Sequence, residues 1–159
     1  MKFDDKKNIS EHLDEYDFKK LKLKFLDKDE IKIFSSLCQD GIFSRDEIIY
    51  NKIDKVLIAT FSRFCWEFVE KKIKDKTFYR VVSGIRICNI NRINYINKDK
   101  IISSKFLNLL SVDNHKTEIM LNFSSDITIN ILTEKIEIYL DDLDMTWPTG
   151  KKPLHKLND

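Results

Sequence analysis

Between Ile42 and Leu132 the chain reads as strands almost without interruption, and the two-residue period of several of its segments is the signature of strands with one wet face. The clearest case lies near the end of this stretch. Thr117, Ile119, Leu121 and Phe123 point one way, Glu118, Met120, Asn122 and Ser124 the other. Ser125-Asp126 supplies a tight turn, and Ile127, Ile129 and Ile131 resume the alternation, which predicts a hairpin. Val56, Ile58 and Thr60 alternate with Leu57, Ala59 and Phe61. Phe78 to Val82 opens a long strand reaching about Ile90, and Leu107, Leu109, Leu110 and Val112 make another.

Upstream, Leu21, Leu23 and Phe25 alternate with Lys22 and Lys24 as a first strand. The period then changes. Asp27 is a good N-cap, Glu30 stands where a capping box needs it, and Ile31, Phe34, Leu37 and Cys38 follow at helical spacing. Gly41 is placed to end that helix in a left-handed conformation. At the other end, Thr133 is the expected cap of a C-terminal helix with Ile136, Tyr139, Leu140 and Leu143 on one stripe. The predicted fold is α+β: a single antiparallel, strongly bent sheet of six or seven strands, with one helix after the first strand and a C-terminal helix. By element order it resembles a pleckstrin-homology-like half-barrel. Residues 1–18 read as a mobile N-terminal arm, and 19–157 as a single domain that includes a C-terminal strap, 145–157.

The strap, Trp147-Pro148-Thr149-Gly150-Lys151-Lys152-Pro153-Leu154-His155, cannot be a regular helix, yet it carries a tryptophan and a histidine. Tryptophan gains free energy only when its ring is covered, so the strap is expected to be fastened by its indole.

Composition excludes several classes. No apolar run is long enough to span a membrane, and Met1-Lys2-Phe3-Asp4-Asp5-Lys6 has no signal-peptide core, so the expected location is cytoplasmic, without a membrane partner. Cys38, Cys65 and Cys88 are widely spaced among apolar neighbours, as buried reduced thiols are. Neither a glycine-rich phosphate loop nor a metal-ligand spacing is present, so no cofactor, metal site or catalytic residue is assigned. The 23 lysines against 5 arginines, with 22 isoleucines and one alanine, follow AT-rich codons and say little about nucleic acid. Arginines kept against that drift mark places where a planar fork is needed.

Three features carry functional weight. In Arg63-Phe64-Cys65-Trp66-Glu67 an arginine four residues before a glutamate suggests an ion pair over an aromatic face, anchoring a strand end or forming half a recognition pocket. Residues 71–100 hold nine Lys/Arg against Asp75 and Asp99, interleaved with Phe78, Tyr79 and Tyr95, a pattern compatible with RNA. Asp141, Asp142 and Asp144 crowd the expected end of the last helix, an unfavourable place for carboxylates unless solvated or met by a cation.

Several pieces stand in one joint order: Leu23 with Asp29-Glu30 and Leu37-x-Gln39-Asp40; Arg63-Phe64-x-Trp66-Glu67; Phe78-x-Arg80-Val81; Leu107-x-Leu109-Leu110; Leu121-x-Phe123; Glu134-x-Ile136-Glu137 with Leu140-x-Asp142-Leu143; and Trp147-x-Thr149-x-x-x-Pro153-x-His155. Together they resemble a small alphaproteobacterial family, domain of unknown function 2948. The likeness runs from about Leu21 to His155. It departs at Asp144, where the family has glycine, and at Ser124-Ser125-Asp126, where small residues are usual. The resemblance implies a bacterial protein and brings no activity, cofactor or catalytic residue.

The expected function is that of a non-enzymatic interaction module for a protein partner. Its candidate recognition residues are Gln39, Arg63, Trp66, Arg80, Trp147 and His155, with the two tryptophans as anchors and the two arginines as forks for a carboxylate. The alternatives are RNA binding by the 71–100 stretch and a small enzyme using His155 as general base.

Overall fold

A computed structural model describes residues 19–69 and 77–154. The expected arm at 1–18, the lysines of the basic stretch from Lys71 to Lys76, and His155 lie outside the described residues.

Ten antiparallel strands form one sheet: β1 (Lys22–Phe25), β2 (Ile42–Asn51), β3 (Val56–Phe64), β4 (Phe78–Ile87), β5 (Ile90–Ile96), β6 (Phe106–His115), β7 (Glu118–Phe123), β8 (Ile127–Thr133), β9 (Ile138–Asp142) and β10 (Trp147–Thr149). Their order is β1-β9-β4-β3-β2-β6-β7-β8-β5, with β10 also paired to β4. The main helix, α1 (Ile31–Cys38), and a short one, α2 (Lys98–Ser103), complete the protein among the described residues.

The predicted helix start holds locally. The Asp27 carboxylate accepts the amide of Asp29 at 2.9 Å, opening a 3-10 turn, Lys28–Glu30, that leads into α1. Glu30 reaches back to the amide of Leu26. Ile31, Phe34 and Cys38 are buried, and α1 packs mainly over β6, where the Ser35 hydroxyl accepts the amide of Val112 at 2.8 Å. The core beneath is aromatic at its centre. Phe43 stacks on Phe61 at 4.4 Å and meets Phe123 edge-on at 5.6 Å, joining β2, β3 and β7. The predicted hairpin is β7–β8, with Ile119, Leu121, Phe123, Ile127, Ile129 and Ile131 all buried. Ser125 and Asp126 in its turn both take left-handed conformations. All three cysteines are buried free thiols.

Four expectations are corrected. The helix does not end on a left-handed Gly41: Asp40 takes that conformation, at φ 63°. Gly41 is required for a different reason, because a Cβ there would sit 2.7 Å from the Phe61 ring. The long strand from Phe78 is divided at Cys88-Asn89, where Asn89 turns left-handed and separates β4 from β5.

The C-terminal helix is a strand. In β9, Ile138, Leu140 and Asp142 are buried while Tyr139 and Asp141 face outward. Thr133 ends β8, and its hydroxyl bonds the carbonyl of Thr117 at 2.6 Å instead of capping a helix. The period of two was concealed because one of its inward positions is an aspartate. Finally, the sheet has ten strands, not six or seven, and is neither closed nor strongly curled, so the half-barrel likeness fails. Without a terminal helix nothing plugs an open end; β9 and β1 extend the sheet past β4 instead.

Candidate recognition groove

Arg63 and Arg80 stand on adjacent strands, their residues offset by one in register, Arg63 opposite Val81 and Phe64 opposite Arg80. Their surroundings differ completely. Arg63 has no exposed side-chain surface, and neither has the Asp142 carboxylate it meets. Its Nε and Nη2 donate to Asp142 at 3.1 and 3.0 Å, and its Nη1 and Nη2 donate to Glu67 at 2.9 and 2.8 Å. The Asp142 carboxylate also accepts the Ser83 hydroxyl at 2.6 Å and the Leu21 amide at 2.8 Å. Burial works to lower the Arg63 pKa, yet the bonds to Glu67 and Asp142 outweigh it and hold the guanidinium above its ordinary value. The Arg63–Glu67 pair expected from sequence is therefore present, but the fork is closed inside the protein.

Arg80 is half-buried. It donates from Nη1 to the Asp40 carbonyl at 3.3 Å, the Ser62 carbonyl at 3.1 Å and the Ser62 hydroxyl at 3.3 Å, and from Nη2 to the Asp40 carbonyl at 3.3 Å. Its guanidinium lies 5.6 Å from the Phe64 ring. An arginine has five N–H donors; among the described residues, Nε and one N–H of Nη2 have no protein acceptor. Burial lowers its pKa, partly opposed by the charge of Asp40. The left-handed turn at Asp40 aims that carbonyl at the guanidinium, and the amide of the same residue bonds the carbonyl of Leu109 at 2.7 Å.

The strap is fastened by backbone rather than by its indole. Trp147, Pro148 and Thr149 pair with Arg80, Tyr79 and Phe78, and Trp147 remains 38% exposed. Proline is admissible here because β10 has a free side where no N–H is needed. Beyond it the chain runs past Gly150 and forms, with the far side of the sheet, a groove of about 610 Å³. The sheet lines it with Ile42, Phe106, Leu107 and Arg80, the strap with Lys151, Lys152 and Leu154, and Asp40 also borders it. Ile42, Phe106 and Leu154 are 39, 59 and 92% exposed, so apolar surface stands beside three cations.

Trp66 lies close by. Its indole N–H donates to the carbonyl of Gln39 at 2.7 Å, and its ring meets Phe64 edge-on at 4.5 Å. The structure thus brings Gln39, Trp66, Arg80 and Trp147 to one end of the sheet, with Gln39 contributing its backbone. Arg63 belongs to the interior, and His155 lies outside the described residues. The other described cations of the basic stretch diverge: Arg86 lies 4.3 Å over the Tyr139 ring, and Lys100 bonds the carbonyl of Ser125. Asp40, Ser62, Lys151, Lys152 and Phe106 were not singled out from sequence, since only the ladder between β10 and β4 brings them together. Among the described residues no group of three or more His, Cys, Asp or Glu is placed to hold a metal ion, and no helix is long and apolar enough to cross a membrane.

These features describe a mostly-β α+β protein with one main helix and a cation-lined groove beneath a C-terminal ribbon. The family described as Protein of unknown function (DUF2948) matches residues 21–155, and the chain belongs to it. No curated protein and no solved structure matches the chain.

Proposed function

We propose that this protein is a non-enzymatic interaction module whose groove takes an acidic, apolar stretch of a protein partner. The observation that carries the reading is Arg80. Three backbone and side-chain oxygens hold its guanidinium in place while two N–H groups stay available, the arrangement that suits a carboxylate oxygen. Lys151 and Lys152 add charge, and Ile42, Phe106 and Leu154 offer a surface for aliphatic or aromatic side chains. Trp147 and Trp66 flank the same end as anchors.

Titration of isotope-labelled protein with peptides that pair Asp or Glu with Leu or Phe tests this. Saturable shifts at Ile42, Arg80, Phe106 and Thr149, lost when the acids are amidated, support it. Absence of shifts across a varied acidic peptide set sinks it. Single-stranded RNA in the same experiment separates the alternative reading: binding that falls steeply with salt and centres on 71–100 transfers the function there. The small-enzyme alternative through His155 predicts that His155→Ala leaves peptide shifts intact.

A further inference from the structure

The outer face of the sheet over β2, β3, β4, β9 and β1 carries a second patch, displaced along the strands from the groove. One row crosses all five strands: Ile49, Ile58, Arg86, Tyr139 and Lys24 occupy consecutive partner positions. In the next row Thr60, Gly84, Asp141 and Lys22 follow one another, and Glu47 joins from β2 by accepting the Thr60 hydroxyl at 2.6 Å. Ile49, Ile58 and Leu143 are 59, 48 and 52% exposed. Scattered aliphatics need no account, but Ile49 and Ile58 are direct partners on β2 and β3, and Ile58 and Leu143 line, with Tyr139, a 250 Å³ notch over Gly84, a patch of the kind that marks an interface.

The charge on this face is polar from one end to the other. Glu47 stands at the β2 end, Lys22 and Lys24 at the β1 end. A face with acid at one end and base at the other is complementary to itself turned over. We infer that this face binds a second copy of the chain, as an isologous dimer with its two-fold axis along β4. Turning the sheet about that axis sets β2 of one copy above β1 of the other. Glu47 then faces Lys22 at both ends, and Ile58 covers Tyr139 twice. Arg86 lies at the axis with its guanidinium 4.3 Å from its own Tyr139 ring, Lys24 lies 5.4 Å from the same ring, and Asp141 stands further along β9. Because each guanidinium leans toward its own Tyr139 on β9, the two-fold displaces the two Arg86 groups from the axis in opposite directions. This inference does not rest on the groove, which lies on other residues.

The test is mass in solution by sedimentation or light scattering, from micromolar to millimolar chain. The inference expects twice the 19.0 kDa chain mass. Ile58→Asp returns it to a monomer with unchanged circular dichroism. Glu47→Lys and Lys22→Glu each weaken the dimer at least tenfold, because each sets like charges together at both ends, and the double variant restores it. A wild-type monomer at every concentration overturns the inference, including the case of a face reserved for a different protein. So does a dimer indifferent to Ile58→Asp, or a double variant as weak as the singles.

Discussion

Arg63 and Arg80 share a residue type, neighbouring strands and almost the same register, yet one is sealed into the fold and the other stands at a surface groove. Every donor of Arg63 is spent on protein oxygens, two carboxylates taking most of them. Arg80 is held by uncharged oxygens and, among the described residues, keeps two donors in reserve. Burial alone therefore does not separate structural from recognition arginines. What separates them is whether the fork's hydrogen bonds end on carboxylates of the same chain. At Arg63 they do, and the fork locks β3 to β9; at Arg80 the neighbouring charge of Asp40 only partly offsets burial.

The largest expected effect lies at the sealed site. Arg63→Ala leaves the Asp142 carboxylate buried without its cation and should destabilise the fold by about 3–5 kcal/mol in urea unfolding. Arg63→Met with Asp142→Leu should recover much of that loss, because no fully buried charge remains and Glu67, partly exposed, keeps access to water. If Arg63→Ala costs under 1 kcal/mol (about the value of an exposed ion pair), the contrast is broken.

The same interior should show in alkali. Burial pushes the Cys65 thiol up to about 12, and pushes Cys38 up as well, with nearby Arg63 acting the other way. Below about pH 8.5 both folded and unfolded chains keep these protons, so stability is unaffected. Above it the unfolded chain releases them while the folded chain does not, and stability falls by at most about 1.4 kcal/mol per pH unit per thiol. The Cys38→Ala, Cys65→Ala variant should flatten the urea midpoint between pH 9 and 11 relative to the wild type; equal slopes would contradict the burial.

Gly41→Ala sits between the two regions. Its new methyl meets the Phe61 ring and displaces the turn whose Asp40 carbonyl holds Arg80. A cost of about 1–3 kcal/mol is expected, together with altered Arg80 side-chain resonances. Unchanged resonances would uncouple the turn from the groove.

Arg80→Gln should be the mirror of Arg63→Ala. It should cost less stability, about 1–3 kcal/mol, because its bonds go to the uncharged oxygens of Asp40 and Ser62 and no carboxylate loses a hydrogen-bonded cation, while weakening acidic peptides about tenfold, equivalent to about 1.4 kcal/mol. Smallest is the effect of salt: raising ionic strength from 0.1 to 1 M should weaken the groove's peptides a few-fold and leave the Arg63 bonds alone. Equal salt sensitivity of fold and binding would erase the distinction.

Much of the sheet was legible because burial follows a period of two wherever the inward residues are apolar, as in Ile119, Leu121 and Phe123. The first helix was legible from Asp27 and Glu30, whose capping bonds are local. Segment 133–144 was misread for one reason: Asp142 is an inward position whose partner, Arg63, lies 79 residues away. No window along the chain reveals that a carboxylate faces inward. Likewise Arg63 and Arg80 looked alike, and the Trp147 ribbon looked anchored by its ring when its backbone does that work.

By itself, the order of residues determined the strands whose inward positions are all apolar, the capped helix, the hairpin at Ser125-Asp126 and the Arg63–Glu67 contact, because each depends on side chains within a few positions of one another. Tertiary structure alone decided that Asp142 is the inner anchor, that Arg80 keeps two donors, and that Lys151 meets Ile42 across a groove. Those outcomes depend on which distant charges and carbonyls the folded sheet brings together, and desolvation gives them their strength only after that assembly has formed.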